Sequence, residues 1–269
     1  MTVGEKTHGA AVPAKEHPHP RHGVPIFEPL PGGPAERFAR RFDSRHPALV
    51  FFLALLAGFT VLAVLSILLA VLVVHVLVPA SGLGLEGTDE SFNDTLAQHR
   101  TGTLTTLAEV GTEAGGAPVL PIIVAIVAIV CVFLRRWLIA AFAVFALAVE
   151  SATYRITSLA VPRDRPSVQR LENLEFDASY PSGHTAASIA VYSGLVLLLA
   201  TRFTSSLKKA LAWTAAILLT TFVAFSRMYE GMHHPLDVAG GILVGIGAIL
   251  VALFACRAAG AAAERRSGR

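Results

Sequence analysis

Long apolar runs alternate with short polar segments along most of this 269-residue chain. Most of the runs approach the ~20 residues that an α-helix needs to cross a bilayer. They extend over about 48–78, 118–134, 137–157, 184–201, 210–226 and 235–256. The pattern therefore predicts an all-α fold, a polytopic membrane bundle of six transmembrane helices.

The segments between the runs indicate how the spans are connected. Only Arg135, Arg136 and Trp137 separate the second run from the third, which predicts a tight hairpin. Residues 91–113 mix Leu and Val with polar residues such as Asp94. That mixture is typical of an interfacial helix or a partly ordered loop.

Both ends of the chain are polar. Residues 1–47 are rich in Pro, Gly, His and charge, and they predict a mostly disordered tail. We interpret the spaced histidines of this tail as solvated coil rather than as a metal site: His8, His17, His19 and His22. Residues 257–269 predict a basic tail, which leaves residues 48–256 as the six-span membrane domain.

The composition supports a membrane protein, with 54% hydrophobic residues, 15% charged residues and a mean hydropathy of +0.60. The net charge of +3 is not arranged as a basic stripe interleaved with aromatic residues, so no nucleic-acid partner is predicted. Cys131 and Cys256 lie inside apolar runs, where they indicate small packing residues rather than a disulfide framework.

The distribution of Lys and Arg predicts the orientation of the spans. With the N-terminus in the cytoplasm, 16 of the 22 Lys and Arg residues fall on the cytoplasmic side. We therefore expect both termini to be cytoplasmic, in a bacterial plasma membrane. The polar loops 79–117, 158–183 and 227–234 should then meet on the extracytoplasmic face.

Three polar clusters fall on that face, and together they have the composition of an anion site with acid–base chemistry. They are VPRDRP at 161–166, YPSGHT at 180–185 and SRMYEGMHHPLD at 226–237. Arg163, Arg165 and Arg227 carry a permanent charge and forked donors that suit phosphate oxygens.

The second cluster directly precedes a predicted span. The backbone N–H groups of Ser182 and Gly183 would lie at a helix N-terminus, where unpaired donors and the helix dipole both favour an anion. His184 would lie on the first turn of that helix. From there it could give a proton to a leaving oxygen.

The third cluster supplies a histidine and an aspartate. Asp237 lies four residues after His233 and three after His234. It can accept from one imidazole N–H and leave the other ring nitrogen free to attack. Taken singly, the clusters also fit snorkelling arginines, a helix cap or a residue that complements a helix dipole. Their convergence on one face favours a functional site.

These residues resemble the motifs of the type 2 phosphatidic acid phosphatase family, which is related to vanadium haloperoxidases and bacterial acid phosphatases. The family pattern is K-x6-RP, PSGH and SR-x5-H-x3-D. The second motif is complete at residues 181–184, and the third is complete as Ser226-Arg227, His233 and Asp237. The resemblance covers about residues 158–237 by motif, and it implies a haloperoxidase-like core for the bundle.

The resemblance implies a role for each matching residue. His233 would attack phosphorus to form a phosphohistidine, and Asp237 would orient it. His184 would protonate the leaving group and later activate water. The equatorial phosphate oxygens would be held by Arg165, Ser182, Gly183 and Arg227. No metal or other cofactor is implied.

The first motif departs from the family pattern, because Ser158 stands where the family has lysine. Arg163 or Arg155 could supply the missing charge. Arg163 is favoured, since a loop residue has more freedom to turn inward. Glu150 is an unusual ionisable group in the third span, and Arg155 is a candidate partner for it.

Together these features predict an integral membrane phosphatase that hydrolyses a lipid phosphate monoester or pyrophosphate without a metal. Phosphatidic acid, phosphatidylglycerol phosphate and polyprenyl pyrophosphates are candidate substrates. Two alternatives stay open. One is a lipid phosphotransferase that uses the same intermediate, and the other is a phospholipid binder or transporter without catalysis, which the missing lysine would suit.

Overall fold

The computed structural model describes residues 24–42, 45–80, 84–172 and 178–267, and every regular element in these ranges is helical. The α-helices are α1 (Pro34–Arg40), α2 (Pro47–Val71), α3 (Leu85–Gln98), α4 (Gly102–Gly115), α5 (Val119–Phe133), α6 (Trp137–Ala160), α7 (Gly183–Ser188), α8 (Gly194–Ala200), α9 (Ser206–Tyr229) and α10 (Pro235–Ser267). A π-helical segment extends α2 to Leu77, and another joins α7 to α8. The four tail histidines lie outside the described residues.

Six helical stretches of the described chain are long and apolar enough to cross a membrane. They are Pro47–Leu77, Gly102–Phe133, Trp137–Ala160, Gly183–Ala200, Ser206–Tyr229 and Pro235–Ser267. The predicted all-α bundle with six spans is confirmed. The second stretch begins at Gly102 rather than near residue 118, since α4 leads directly into α5. The Thr, Gly and Glu residues of α4 lower its mean hydropathy, so the apolar pattern of the sequence did not show that the span includes this helix.

The central helix of the bundle is α10, which packs against both α2 and α6. Small residues let α2 and α10 approach closely. A Cβ at Gly58 would lie 2.9 Å from Val251 Cγ1, and a Cβ at Gly247 would lie 2.3 Å from Leu62 Cδ1. Each glycine therefore lies against an aliphatic side chain of the facing helix. Small residues that allow such close packing are typical of helix interfaces in membranes, where water provides no hydrophobic driving force.

Residues 24–42 depart from the prediction of a mostly disordered tail. They form a short 3-10 turn, Pro25–Phe27, and helix α1, which packs against α10. Phe27 is fully buried and contacts Phe142, with 5.7 Å between ring centroids. The sequence pattern did not predict this contact. The segment 24–42 contains few apolar residues, and their partners lie far along the chain.

The C-terminal end of the chain also differs from its predicted tail. Helix α10 continues through Ser267, and Ala258, Ala259, Ala261 and Ala262 are buried along it. Alanine has the highest helix propensity, so this run extends the helix readily. The segment that contains α1 covers it, and Arg257 Nε donates to the Ile26 carbonyl oxygen at 2.8 Å.

Close backbone contacts fix the end of the bundle that holds residues 158–183 and 227–237, which we name the polar end. A Cβ at Gly241 would lie 2.5 Å from the Ser182 carbonyl oxygen, and one at Gly245 would lie 2.6 Å from the Ala186 carbonyl oxygen. Between α4 and α9, a Cβ at Gly115 would lie 2.3 Å from Val223 Cγ1. Glycines thus set the positions of α7 and α9, the helices that present the candidate site.

We predict that Gly245→Ala destabilises the bundle, because the added methyl group meets a backbone oxygen that cannot move independently of α7. Overpacking of this kind typically costs about 1–3 kcal/mol. Thermal unfolding of the detergent-solubilised protein measures the effect. Gly87→Ala is the matched control, since nothing lies within 4 Å of a Cβ at that helical glycine. Equal unfolding temperatures for the two variants would contradict the proposed close contact.

Candidate active site

A cavity of about 670 Å³ lies at the polar end, among α4, α5, α6 and α7. Four residues of the three sequence motifs line it: Arg165, Gly183, His184 and His233. Residues from α6 complete its polar wall, and Leu120, Leu147 and Ala187 form an apolar part. The cavity therefore has the two-sided character that an amphiphile with an anionic head requires.

The turn between α9 and α10 places His233 on this cavity. Gly231 has a φ of 74°, in the left-handed region that glycine adopts without strain. The Met232 N–H donates to the Arg227 carbonyl oxygen at 3.0 Å, and the Gly231 N–H donates to the Met228 carbonyl oxygen at 3.0 Å. These two bonds are the Schellman arrangement that ends a helix. They bring Arg227 and His233 to fixed positions around a tight turn.

The carbonyl oxygen of Ser179 fixes the tautomer of His233. Nδ1 of the imidazole lies 2.7 Å from that oxygen. Because a carbonyl oxygen only accepts hydrogen bonds, Nδ1 must carry the proton. Nε2 then has a lone pair, as nucleophilic attack requires. Burial lowers the pKa of His233 to about 4, and the positive charge of Arg227 acts in the same direction against the opposing effect of Asp237. The ring is therefore neutral at pH 7.

Asp237 does not bond directly to His233, from which it was expected to accept. Its Oδ2 lies 3.8 Å from His233 Nδ1, beyond hydrogen-bond distance. The carboxylate instead accepts from Ser179 Oγ, from the His234 N–H at 2.7 Å and from Arg163 Nη1 at 2.6 Å. Asp237 thus positions the residue whose carbonyl oxygen holds His233.

Arg163 lies away from the cavity, which differs from its expected role as the replacement for the motif lysine. One end of its guanidinium binds Asp237, and Nη2 binds Asp89 Oδ2 at 2.7 Å. All three side chains are buried. Burial disfavours the charged guanidinium, but the two carboxylates outweigh that effect and raise the pKa of Arg163. The positive charge of Arg163 is therefore paired with Asp89 and Asp237 and does not face the cavity.

Arg227 is fully buried and lies between two acids. Nη1 donates to Glu172 Oε2 at 2.5 Å and to Glu230 Oε2 at 3.0 Å. Burial raises the pKa of Glu230, although hydrogen bonding from Thr112 and the charge of Arg227 oppose that rise. Nε and Nη2 of Arg227 are buried and have no hydrogen-bond partner within the described ranges. Arg227 itself is not among the residues that line the cavity.

The first turn of α7 carries the second cluster. Its early N–H groups have no acceptors within the helix itself, which favours an anion there. The Ser182 N–H is committed to the Asp237 carbonyl oxygen at 2.9 Å, so this residue ties α7 to α10. Gly183 lies against Tyr154, whose ring would be 3.2 Å from an added Cβ. Glycine at this position therefore lets the α7 backbone lie close to the Tyr154 ring.

Ser158, at the position of the family lysine, is fully buried, and its hydroxyl donates to the Tyr180 carbonyl oxygen at 3.0 Å. Arg155, three residues earlier on α6, lines the cavity. Of the two arginines considered from the sequence, Arg155 is therefore the one that lies on the cavity.

Comparison with known proteins agrees with the motifs. Residues 137–259 match the sequence model of the PAP2 superfamily, and this range contains all three clusters. Over these residues the chain is similar in sequence to the PAP2 superfamily. Across the described residues, no group of three or more His, Cys, Asp or Glu side chains is arranged to hold a metal ion.

Three curated relatives match parts of the chain. The bacitracin transport permease protein BcrC of Bacillus licheniformis is 37% identical over 89 residues, 33% of this chain and 37% of that protein. An undecaprenyl-diphosphatase of Sulfolobus acidocaldarius is 40% identical over 75 residues, 28% of this chain and 32% of that protein. Sphingosine-1-phosphate phosphatase 2 of Mus musculus is 37% identical over 89 residues, 33% of this chain and 24% of that protein. The matches thus span only about a third of these relatives or less.

A solved structure has a similar fold. It is the crystal structure of a transmembrane PAP2 type phosphatidylglycerolphosphate phosphatase from Bacillus subtilis, with a TM-score of 0.58 and 21% sequence identity. The alignment covers 77% of this chain and 93% of the other. The fold of the present chain is therefore that of a PAP2 membrane protein.

Helix α3 contributes contacts that the PAP2 motifs do not include. Asn93 Nδ2 donates to the His233 carbonyl oxygen at 3.0 Å, and Asp89 Oδ1 accepts from the Leu236 N–H at 3.1 Å. Glu90 Oε2 lies 3.0 Å from His234 Nε2, which gives His234 a structural partner. Burial opposes ionisation of Glu90, but hydrogen bonds from Ser167 outweigh it and lower the Glu90 pKa. Asp89 and Asn93 are four residues apart on one helix face, a spacing visible in the sequence.

We predict that Arg163→Met lowers the free energy of unfolding by about 3–5 kcal/mol, because it leaves the carboxylates of Asp89 and Asp237 buried without their cation. Thermal or denaturant unfolding in detergent measures this loss. Arg170→Met is the control, since Arg170 is an exposed arginine of the same loop. If Arg163→Met folded with wild-type stability and only weakened substrate binding, the assignment of Arg163 to a structural ion pair would be wrong.

Proposed function

We propose that this protein is a membrane lipid phosphatase that acts through a phosphohistidine. The main support is the state of His233, a neutral buried imidazole whose Nδ1–H is held by Ser179 and which lines a cavity together with His184 and Arg165. A pure lipid binder has no need of an activated nucleophile opposite a second histidine.

The proposed reaction has two steps. In the first, Nε2 of His233 attacks phosphorus, the bond from phosphorus to the lipid oxygen breaks, and His184 gives its proton to that oxygen. In the second, His184 takes a proton from water, whose oxygen attacks phosphorus as the phosphorus–nitrogen bond breaks. Inorganic phosphate leaves, and both histidines return to their starting states.

The charge on the transferred phosphoryl group is offset by arginines and backbone donors. Arg165 and Arg155 line the cavity, and Arg227 contributes the buried Nε and Nη2 donors. Gly183 brings the first turn of α7 close to the ligand. We assign to Arg155 the charge that lysine supplies at Ser158 in the family pattern, because Arg155 lies one helical turn away on the same helix.

The substrate class follows from the two-sided cavity and from the relatives. One relative is named for undecaprenyl diphosphate and another for sphingosine 1-phosphate, and the similar structure is named for phosphatidylglycerolphosphate. All three are phosphates on long apolar chains. We infer the same general class here. The distribution of Lys and Arg supports a polar end that faces away from the cytoplasm.

The test is phosphate release from a panel of lipid phosphates by purified protein with EDTA present. We predict that His233→Ala lowers the rate on the order of 1,000-fold or more, because the nucleophile itself is lost. His99→Ala is the matched control, since His99 is an exposed histidine of the same end that does not line the cavity. Hydrolysis by His233→Ala at the wild-type rate would refute the mechanism, and phosphate transfer without release would indicate a transferase.

A second prediction concerns Arg155. Arg155→Gln should raise KM by roughly 10- to 100-fold, because a hydrogen-bonded charge contributes about 1.5–3 kcal/mol to binding of an anion. Arg155→Lys should restore most of the affinity, since lysine keeps the charge. Steady-state kinetics on the best lipid of the panel measures both variants, and Arg170→Gln controls for loss of surface charge. An unchanged KM in Arg155→Gln would remove Arg155 from the phosphate site.

A further inference from the structure

Glu150 is a buried carboxyl group on the wall of the same cavity. Its side chain is 1% exposed, and it lies on α6 within the third span. Oε2 accepts from Ser151 Oγ at 3.0 Å, whereas Oε1 is buried with no hydrogen-bond partner in the described part of the chain. Neither proposed reaction step uses this group. An unsatisfied carboxyl oxygen in a membrane span is costly, so its presence on a cavity wall indicates a ligand that satisfies it.

The position of Glu150 along α6 sets the part of a ligand that it can reach. Tyr154 lies four residues later on the same helix face, and its ring packs against Gly183 at the proposed phosphate site. Four residues of α-helix rise about 6 Å, so Glu150 lies about one turn further into the membrane than Tyr154. A carboxyl group at that depth faces the atoms just below a bound phosphate, before the long apolar chain begins.

We propose that Glu150 recognises a hydrogen-bond donor, a hydroxyl or an amine, carried by the carbon next to the phosphate-bearing carbon of the lipid. This inference rests on the proposed function and narrows its substrate class. Oε1 accepts from the donor group while the phosphate lies against Gly183 and Arg165. Ser151 keeps Oε2 in place, and Oε1 is the oxygen of this cavity-lining residue that still lacks a partner among the described residues.

The proposal separates lipid phosphates that otherwise look alike. Phosphatidylglycerol phosphate, monoacylglycerol phosphate and sphingosine 1-phosphate each carry a hydroxyl or amine on that carbon. Diacyl phosphatidic acid carries an ester there, and a polyprenyl diphosphate carries an alkene carbon, so neither can donate to Glu150. A site that bound those lipids would leave Oε1 unsatisfied in the complex, which lowers their affinity.

The experiment compares two lipids that differ only at this carbon: 1-oleoylglycerol 3-phosphate and its analogue with hydrogen in place of the hydroxyl. Binding to the His233→Ala protein is measured first, so that the preference is obtained whether or not the lipids are hydrolysed. Sphingosine 1-phosphate forms a third arm, which tests an amine as the donor. The same measurements are made with Glu150→Leu, with Glu150→Gln and with the control Glu109→Leu, whose acid is exposed on α4.

We expect the parent protein to bind the hydroxyl lipid roughly 2- to 10-fold more tightly than its analogue, as a single hydrogen bond to a buried group implies. Glu150→Leu should abolish that preference, Glu150→Gln should retain part of it for the hydroxyl lipid, and Glu109→Leu should leave it unchanged. Equal affinity for the two lipids in the parent protein, or an equal loss for both in Glu150→Leu, would overturn the inference. Absence of hydrolysis with the binding preference intact would instead count against the proposed phosphatase activity alone.

Discussion

The carboxylate of Asp237 is the group on which the polar end depends, because it accepts donors from the first cluster, from the third cluster and from the residue next to the second. Arg163 comes from the first, Ser179 directly precedes the second, and the His234 N–H belongs to the third. A fully buried carboxylate is costly unless charge and hydrogen bonds compensate it. Because the Asp237 carboxylate needs all of these donors, the loops that carry them are held at fixed positions around it, although they are distant in sequence. The cavity can therefore be rigid although several of its walls are irregular.

His233, the proposed nucleophile, is positioned indirectly by this arrangement. Ser179 uses its hydroxyl on Asp237 and its carbonyl oxygen on His233, and its N–H donates to the Arg163 carbonyl oxygen at 2.8 Å. A charge placed directly on the imidazole would favour the protonated ring, which cannot attack phosphorus. A neutral carbonyl oxygen fixes the same tautomer with a weaker effect on ring charge. The Ser179 carbonyl oxygen thus orients the His233 ring but does little to stabilise its protonated form.

Much of the fold and most of the site follow from the sequence for a physical reason. Apolar runs of sufficient length specify spans, and the spacing between Arg227, His233 and Asp237 is that of a helix end, a tight turn and a helix start. Contacts made by polar residues at long sequence separation carry no such periodic signal. For that reason the pairing of Arg163 with Asp89, and the packing of Phe27 against the bundle, could be found only in the folded chain.

The proposed transfer of the motif cation from position 158 to Arg155 has consequences for the α6 wall of the cavity. At Ser158 a lysine would have to share its buried position with the carbonyl oxygen of Tyr180, which the serine hydroxyl now satisfies. Moving the charge to Arg155 shifts it about 4.5 Å toward the membrane interior. The longer, forked arginine can reach back toward a phosphate from there. The same shift brings a positive charge nearer to Glu150, so a carboxyl group within the span becomes easier to accommodate beside a bound anion.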